Sequence, residues 1–261
     1  MNTALWAAKT GLDAQQTRMA VVSHNLANVN TTGFKRGRAV FEDLLYQNVS
    51  QVGGATSQDT QSASGMSLGT GVKVVATEKI FTQGSLNQTG NSLDLAINGR
   101  GFFQILMPDG SFGYTRAGDF QLNNQGQMVT SEGYVLQPGI NIPSGAQSIT
   151  IGTDGTVSVQ VAGQSAPSQV GNIQLADFVN PAGLQPRGGN LLVESAASGT
   201  AQTGTPGLSG LGSIGQGATE SSNVNVVEEM VNMIETQRAY EMNTKAIQTA
   251  DQMLQYLSNN I

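Results

Sequence analysis

Ser222-Asn223-Val224-Asn225-Val226-Val227-Glu228-Glu229-Met230-Val231-Asn232-Met233-Ile234 opens the C-terminal stretch of the chain, and the spacing of its apolar residues decides the fold class. Val226, Met230, Met233, Gln237, Tyr240, Thr244, Ile247, Asp251 and Leu254 follow one another in alternating steps of four and three, the period of one helix face. This predicts an amphipathic helix from near Asn223 to near Leu257. Asn223 is expected as its N-cap, with Glu228 and Glu229 in the early turns, where the helix dipole favours negative charge. The same alternation runs through the other end of the chain, in Leu5, Ala8, Leu12, Gln15, Met19, Val22, Leu26 and Val29, and predicts a helix ending near Asn28 to Gly33. Gln15, Gln237, Thr244 and Asp251 put polar groups on these stripes, which costs stability while fixing register. A lone amphipathic helix is marginal in water, so each stripe needs a partner, and each other is the nearest. An ordinary core-facing helix is the alternative reading of either one.

Between the ends the period changes to two. Residues 72–77, 93–97, 102–106, 149–151, 156–161 and 173–175 read as short strands. Pro108-Asp109-Gly110, Asn123-Asn124-Gln125-Gly126 and Thr153-Asp154-Gly155 supply residues that preset a turn or tolerate positive φ. The expected fold is therefore α+β, with N- and C-terminal helices pairing as a coiled coil and a central antiparallel β domain. Its expected divisions are an N-terminal helix over 1–33, an extended arm or connector over 34–68, the β domain over 69–194, a Gly/Ser/Thr-rich connector over 195–222 and the C-terminal helix over 223–261. Residues 47–67 and 195–222 hold few core-forming residues, and each reads either as a disordered linker or as a segment that orders against other subunits.

Composition excludes most site chemistry. The 261 residues carry Lys+Arg 12 against Asp+Glu 18, a formal net charge of −6, which argues against a nucleic-acid partner. Only 11% of residues are charged, and Ser, Thr, Asn and Gln make up roughly a third, a surface suited to extended contact between chains rather than to mutual repulsion. There is no Cys, so no disulfide, thiolate nucleophile or Cys-based zinc site. The single His, His24, falls off its stripe and is expected to be partly exposed and hydrogen-bonded. Asp119, Asp154 and Asp177 sit near turns in separate parts of the chain, the usual place for turn-forming Asp. Gly69-Thr70-Gly71 and Gly99-Arg100-Gly101 lack the spacing and the Lys of a phosphate loop. No catalytic, cofactor-binding or metal residue is assigned, and no enzyme activity is expected. Met1 to Trp6 lacks a basic n-region and no run approaches ~18 apolar residues, so neither a cleavable signal peptide nor a transmembrane segment is expected. Lys35-Arg36-Gly37-Arg38 reads either as a solvated loop or as a salt-bridging contact to a neighbouring acidic surface.

The stretch Ser23-His24-Asn25-Leu26-Ala27-Asn28-Val29-Asn30-Thr31-Thr32-Gly33-Phe34-Lys35-Arg36 resembles the N-terminal signature of the bacterial flagellar rod and hook proteins. Residues 222–240 resemble the matching C-terminal signature. Signature positions here are Ser23, Asn25, Ala27, Asn28, Thr31, Gly33, Phe34 and Lys35, while His24 stands where the pattern more often has Asn. Within the family, the length and residues 39–47 are most similar to members of the distal part of the rod; a proximal rod or short hook protein is the alternative, and a secreted β-rich binding module is the rival from another class. The resemblance implies a structural subunit of a helical homopolymer that carries torque from motor to hook. Its helices would form an inner coiled coil through Leu5, Leu12, Met19, Leu26, Val226, Met230, Met233, Tyr240, Ile247 and Leu254. The implied partners are other copies of the chain, proximal rod and hook proteins, the surrounding basal-body rings and the flagellar export apparatus. The implied location is the periplasm-spanning rod of the basal body, with no cofactor.

Overall fold

In a computed structural model that describes residues 3–50, 52, 63–163 and 166–259, the two terminal stripes form helices α1 (Thr3–Ala27) and α2 (Val226–Asn259). They pack against each other in antiparallel sense: Gly11 of α1 meets Asn243 of α2, whereas Arg18, farther along α1, reaches back to Asn232 and Glu235. The cap of α2 lies two residues beyond the expected one. Asn225 Oδ1 accepts the amides of Val227 (3.0 Å) and Glu228 (3.4 Å), satisfying orphan donors of the first turn, while Asn223 is engaged elsewhere.

Four strands accompany the helices. β1 (Gly37–Asp43) pairs with β4 (Val72–Lys79), and beyond them β2 (Tyr46–Ser50) pairs antiparallel with β3 (Met66–Gly69), Tyr46 opposite Gly69 and Gln47 opposite Leu68. The Leu44 amide donates to the Gly71 carbonyl where the two ribbons meet (2.8 Å). Cross-strand ion pairs join Arg38 to Glu78 and Lys73 to Glu42 (3.1 Å). The ribbon lies against α1, where the Val72 amide donates to Thr10 Oγ1, and Gly71 (φ +128°) is needed because a Cβ there would stand 2.1 Å from that oxygen. The helices and ribbon make up one compact unit, consisting of residues 1–27, 37–78 and 225–261.

Residues 28–36 and 79–224 make up the other unit, which is antiparallel β structure. It begins with β5 (Leu86–Gln88) and β6 (Leu95–Asn98). A hairpin of β7 (Phe102–Leu106) and β8 (Phe112–Thr115) follows, with its turn at residues 107–111. Next come β9 (Gln121–Leu122) and β10 (Met128–Val129), closed by the turn at Asn123–Gly126, and then β11 (Val135–Gln137), which pairs with β7. β12 (Ala146–Ile151), β13 (Thr156–Val161) and β14 (Ser168–Asn172) form a three-stranded sheet of their own. β15 (Leu175–Asp177) joins the same edge of β7 as β11, at the Phe102–Phe103 end, and β16 (Gln185–Gly188) and β17 (Leu191–Val193) extend the sheet past β8. Alternation along β7 serves both faces: Phe103 and Ile105 enter the main core with Phe120, Met128, Leu136, Val157 and Val159, whereas Phe102 packs with Tyr114, Phe178 and Leu184 on the other side.

The segment expected as a connector over 195–222 instead carries three strands. β18 (Gln202–Gly204) pairs with β15, β19 (Ser213–Gln216) with β6, and β20 (Ala218–Glu220) with β5. Their stabilisation is mostly backbone hydrogen bonding onto existing strands, which needs few apolar side chains; Ile214 alone among these strand residues enters the main core. The lower boundary shifts as well, because β4 pairs with β1 and places residues up to Glu78 with the helices rather than in the β unit.

Candidate assembly surfaces

The helix pair meets through small and polar groups. On α2, Glu229 and Thr236 are buried, and Asn232, Met233, Asn243 and Ile247 are half-buried; Glu229, Thr236 and Asn243 recur at intervals of seven. A Cβ on Gly11 would lie 3.1 Å from Asn243 Nδ2, so the missing side chain lets the helices approach. Arg18 donates to Asn232 Oδ1 (3.3 Å) and faces Glu235 at 3.7 Å.

This stripe is rotated one residue away from the one that the apolar spacing predicts. Of the expected coiled-coil residues on α2, Met233 and Ile247 are half-buried, whereas Val226, Met230, Tyr240 and Leu254 are exposed. On α1, Leu5, Leu12, Met19 and Leu26 are all half-buried, and the buried positions are Ala14, Val22 and Asn25. Val227 (70% exposed), Val231 and Ile234 widen the open face of α2 beside Val226 and Met230. An apolar area rimmed by charged groups on a helix is a surface that a monomer has no use for.

The β2–β3 ribbon is a second such surface. Tyr46, Val49, Met66 and Leu68 are exposed, and all nine residues of the two strands face solvent. A two-stranded ribbon is at best marginal in isolation. The rest of the expected arm, residues 51 and 53–62, lies outside the described residues.

The signature residues divide between two tasks. Asn25 is buried and pairs with the backbone of Gly37 in both directions, Nδ2 to the carbonyl at 2.9 Å and Oδ1 from the amide at 2.8 Å, so its side chain imitates a strand neighbour. Ser23 and Ala27 are exposed, as is His24. Half-buried Asn28 receives the hydroxyl of half-buried Thr31 at 3.2 Å. Gly33 (φ +68°) donates its amide to the Glu220 carbonyl, and a Cβ there would lie 2.4 Å from the Ala117 nitrogen, which only glycine avoids. Phe34 is buried beneath the Lys79 ammonium.

Lys35 corrects the reading of its basic cluster as a solvated loop. It is 4% exposed and its ammonium meets Glu220 Oε1 at 2.5 Å and the Thr82 carbonyl at 2.8 Å. Glu220 is fully buried and also accepts Arg116 on Oε2 (3.2 Å) and the Gly84 amide on Oε1 (2.8 Å). Burial holds the Lys35 ammonium below its ordinary pKa against the opposing pull of Glu220, and burial acts on Arg116 in the same direction. Nothing in the Gly- and Ser-rich surroundings of Glu220 marks it in the sequence as the partner of a residue 185 positions away. Among the described residues, no three His, Cys, Asp or Glu gather in a way that suits a metal ion, and no helix is long and apolar enough to cross a membrane.

Terminal helices and a two-stranded ribbon that leave apolar faces open, together with a β unit whose core is filled, are the features of a structural assembly protein. Three family models match it: residues 5–35 the flagella basal body rod protein, residues 96–159 the D1 domain of the flagellar hook protein FlgE/F/G, and residues 216–260 the C-terminal region of the flagellar basal body rod FlgEFG proteins. The chain is 57% identical to the flagellar basal-body rod protein FlgG of Buchnera aphidicola subsp. Schizaphis graminum, covering 99% of each. It is 50% identical to the protein of that name in Caulobacter vibrioides over 98% of each, and 40% identical to that of Bacillus subtilis over 99% of each. The chain therefore belongs to the flagellar basal-body rod protein family, and it is a structural subunit of the rod.

Proposed function

We propose that the chain polymerises into the distal rod as a helical tube that carries torque from motor to hook. The observation that carries this reading is the exposed apolar face of α2, Val226, Val227, Met230, Val231 and Ile234, on a helix whose intramolecular contact is made by other residues. Contacts that repeat without closing a ring generate a filament, and the coiled coil read from the sequence would then be shared: Leu5, Leu12, Met19, Leu26, Met233 and Ile247, which are half-buried, would serve the pairing of the two terminal helices, and the exposed Val226, Met230, Tyr240 and Leu254 would meet a neighbouring copy and cover that face. The exposed β2–β3 ribbon would pair with a neighbouring copy and stiffen the tube. Proximal rod and hook proteins at its ends, the basal-body rings around it and the flagellar export apparatus, which would deliver it without a cleavable signal peptide to the periplasm-spanning rod, complete the proposed partners. The sequence family is structural, and the role proposed is mechanical rather than enzymatic.

The test is electron microscopy of the purified full-length protein under polymerising salt and crowding conditions. Tubes with a regular helical repeat are expected; a protein that stays monomeric throughout, or forms only closed rings, would contradict the reading.

A further inference from the structure

The chain passes between its two units four times, after residues 27, 36, 78 and 224. The β-unit segments that carry those passages, 28–36, 79–85 and 220–224, are tied to one another by a single network. Gly33 donates its amide to the Glu220 carbonyl (2.7 Å), Ile80 to the Arg36 carbonyl (2.9 Å) and Ser221 to the Ser85 carbonyl (2.8 Å). Asn223, expected as a helix cap, instead accepts the Arg36 amide on Oδ1 (2.7 Å) and donates through Nδ2 to the Ile80 and Thr82 carbonyls. At the centre, one fully buried carboxylate, Glu220, receives Lys35 from the first segment, the Gly84 amide from the second and Arg116 from the end of β8. Arg116 is itself anchored to the sheet, by its second nitrogen on the Gly99 carbonyl (2.6 Å) and by the Phe102 ring beneath its guanidinium (5.4 Å).

We propose that Lys35, Glu220 and Arg116 are positioning residues for force transmission, a buried ion triad that fixes the segments through which the chain enters and leaves the β unit. The proposal rests on the torque-carrying reading above. A buried ion pair is a poor device for raw stability, since desolvation offsets much of the attraction, but its geometry is directional. Apolar packing at the same place yields to small sliding motions, whereas charge-assisted hydrogen bonds hold donor and acceptor in one register. Load entering along any one of the three segments is thereby shared with the other two and handed to β8 through Arg116, instead of being taken up by slack chain.

The triad also has an internal logic that makes it testable. Two cations share one buried carboxylate, so removing Glu220 leaves Lys35 and Arg116 to repel each other with only the weaker pull of Asp177 on Arg116 to offset it, and removing Lys35 as well relieves that repulsion. The experiment is hydrogen exchange on the purified full-length protein with Lys35→Met, Glu220→Gln and the double variant. Glu220→Gln is expected to speed exchange at the amides of Gly33, Arg36, Ile80, Gly84 and Ser221 at least tenfold while Leu136 and Val159 stay protected, and the double variant is expected to recover most of that loss. If Glu220→Gln does not fold, Lys35→Met decides: it is expected to loosen Gly33 and Arg36 with the core amides unchanged. Effects that simply multiply in the double variant, exchange rising equally in the core, or no change in Lys35→Met would each overturn the proposal.

A second readout tests force itself. In a motile strain whose own distal-rod gene is replaced by this chain, Lys35→Met is expected to support rods and swimming in dilute medium but to lose swimming as viscosity rises. Swimming equal to that of the unsubstituted chain at every viscosity would overturn the force role. Failure of the unsubstituted chain to support a rod would instead refute the torque-carrying reading, leaving the exchange result to stand on its own.

Discussion

The β unit and the helical unit spend their apolar residues in opposite ways. In the β unit, Phe102, Phe103, Phe120 and Phe178 are all buried, and Phe103 and Phe120 meet edge to face with their centroids 5.2 Å apart. In the helical unit the long helix leaves Val227, Met230, Val231, Ile234 and Met242 exposed, while Thr236 and Glu229 take the buried positions. The first is a core finished within one chain. The second has the chemistry of a surface still to be covered, and the inversion of polar and apolar positions on α2 separates the contact that holds the monomer together from the one left for a partner.

The sharpest way to break this comparison is to substitute in each region and ask what is lost. Phe103→Ala removes a fully buried ring from the main core and should lower monomer stability by about 3–5 kcal/mol in thermal or chemical unfolding. Met230→Asp places a carboxylate on the exposed face of α2, and should shift monomer stability by less than about 0.5 kcal/mol while abolishing polymerisation. If Met230→Asp destabilised the monomer as much as Phe103→Ala does, the exposed face would belong to a monomeric core and the distinction between the regions would collapse. Replacing residues 47–67 by a short turn should leave the melting temperature of the monomer nearly unchanged and alter only the length or bending stiffness of the polymer, measured from tube images.

Much of this was legible in the sequence, for reasons that explain the exceptions too. Strands 102–106 and 156–161 and the turns at 108–110, 123–126 and 153–155 declare themselves through local alternation and residues with special backbone preferences, and the structure has them there. Strands β18 to β20 do not, because short Gly-bearing segments such as 202–204 and 213–216 pair by backbone alone with strands far away in the chain. Apolar period located both helices but not which face each turns to the other, since the contact on α2 is made by Thr236 and Asn243, residues that a hydrophobic pattern passes over. The signature was visible as a resemblance, yet the burial of Lys35 was not, because its partner Glu220 stands alone in a polar stretch. Likewise Asn223 and Asn225 are equivalent as caps on paper, and only the demand of Arg36, Ile80 and Thr82 for a hydrogen-bonding side chain assigns them different roles.

The smallest expected effect concerns acid. The Asp109 carboxyl is held down to about 2 by the hydroxyl and amide of Ser111 and then by Arg187. With its folded pKa below the ordinary 3.8, its contribution to stability is fully present above that value and is lost as pH falls through about 2. Asp109→Asn should therefore remove a small part of the acid sensitivity of the β unit between those limits, seen as a flatter dependence of melting temperature on pH, with polymerisation untouched.

The central claim is that the open face of α2 is covered by another copy of the chain, and methionine oxidation measures that directly. Met230 is exposed in the monomer and Met128 is fully buried in the β unit, so peroxide treatment followed by peptide mass spectrometry reads both in one sample. In monomer, Met230 should oxidise fast and Met128 slowly; in the assembled tube, Met230 should slow at least tenfold while Met128 stays as it was. Equal oxidation of Met230 in monomer and tube would mean that this face remains open after assembly, and would contradict the account.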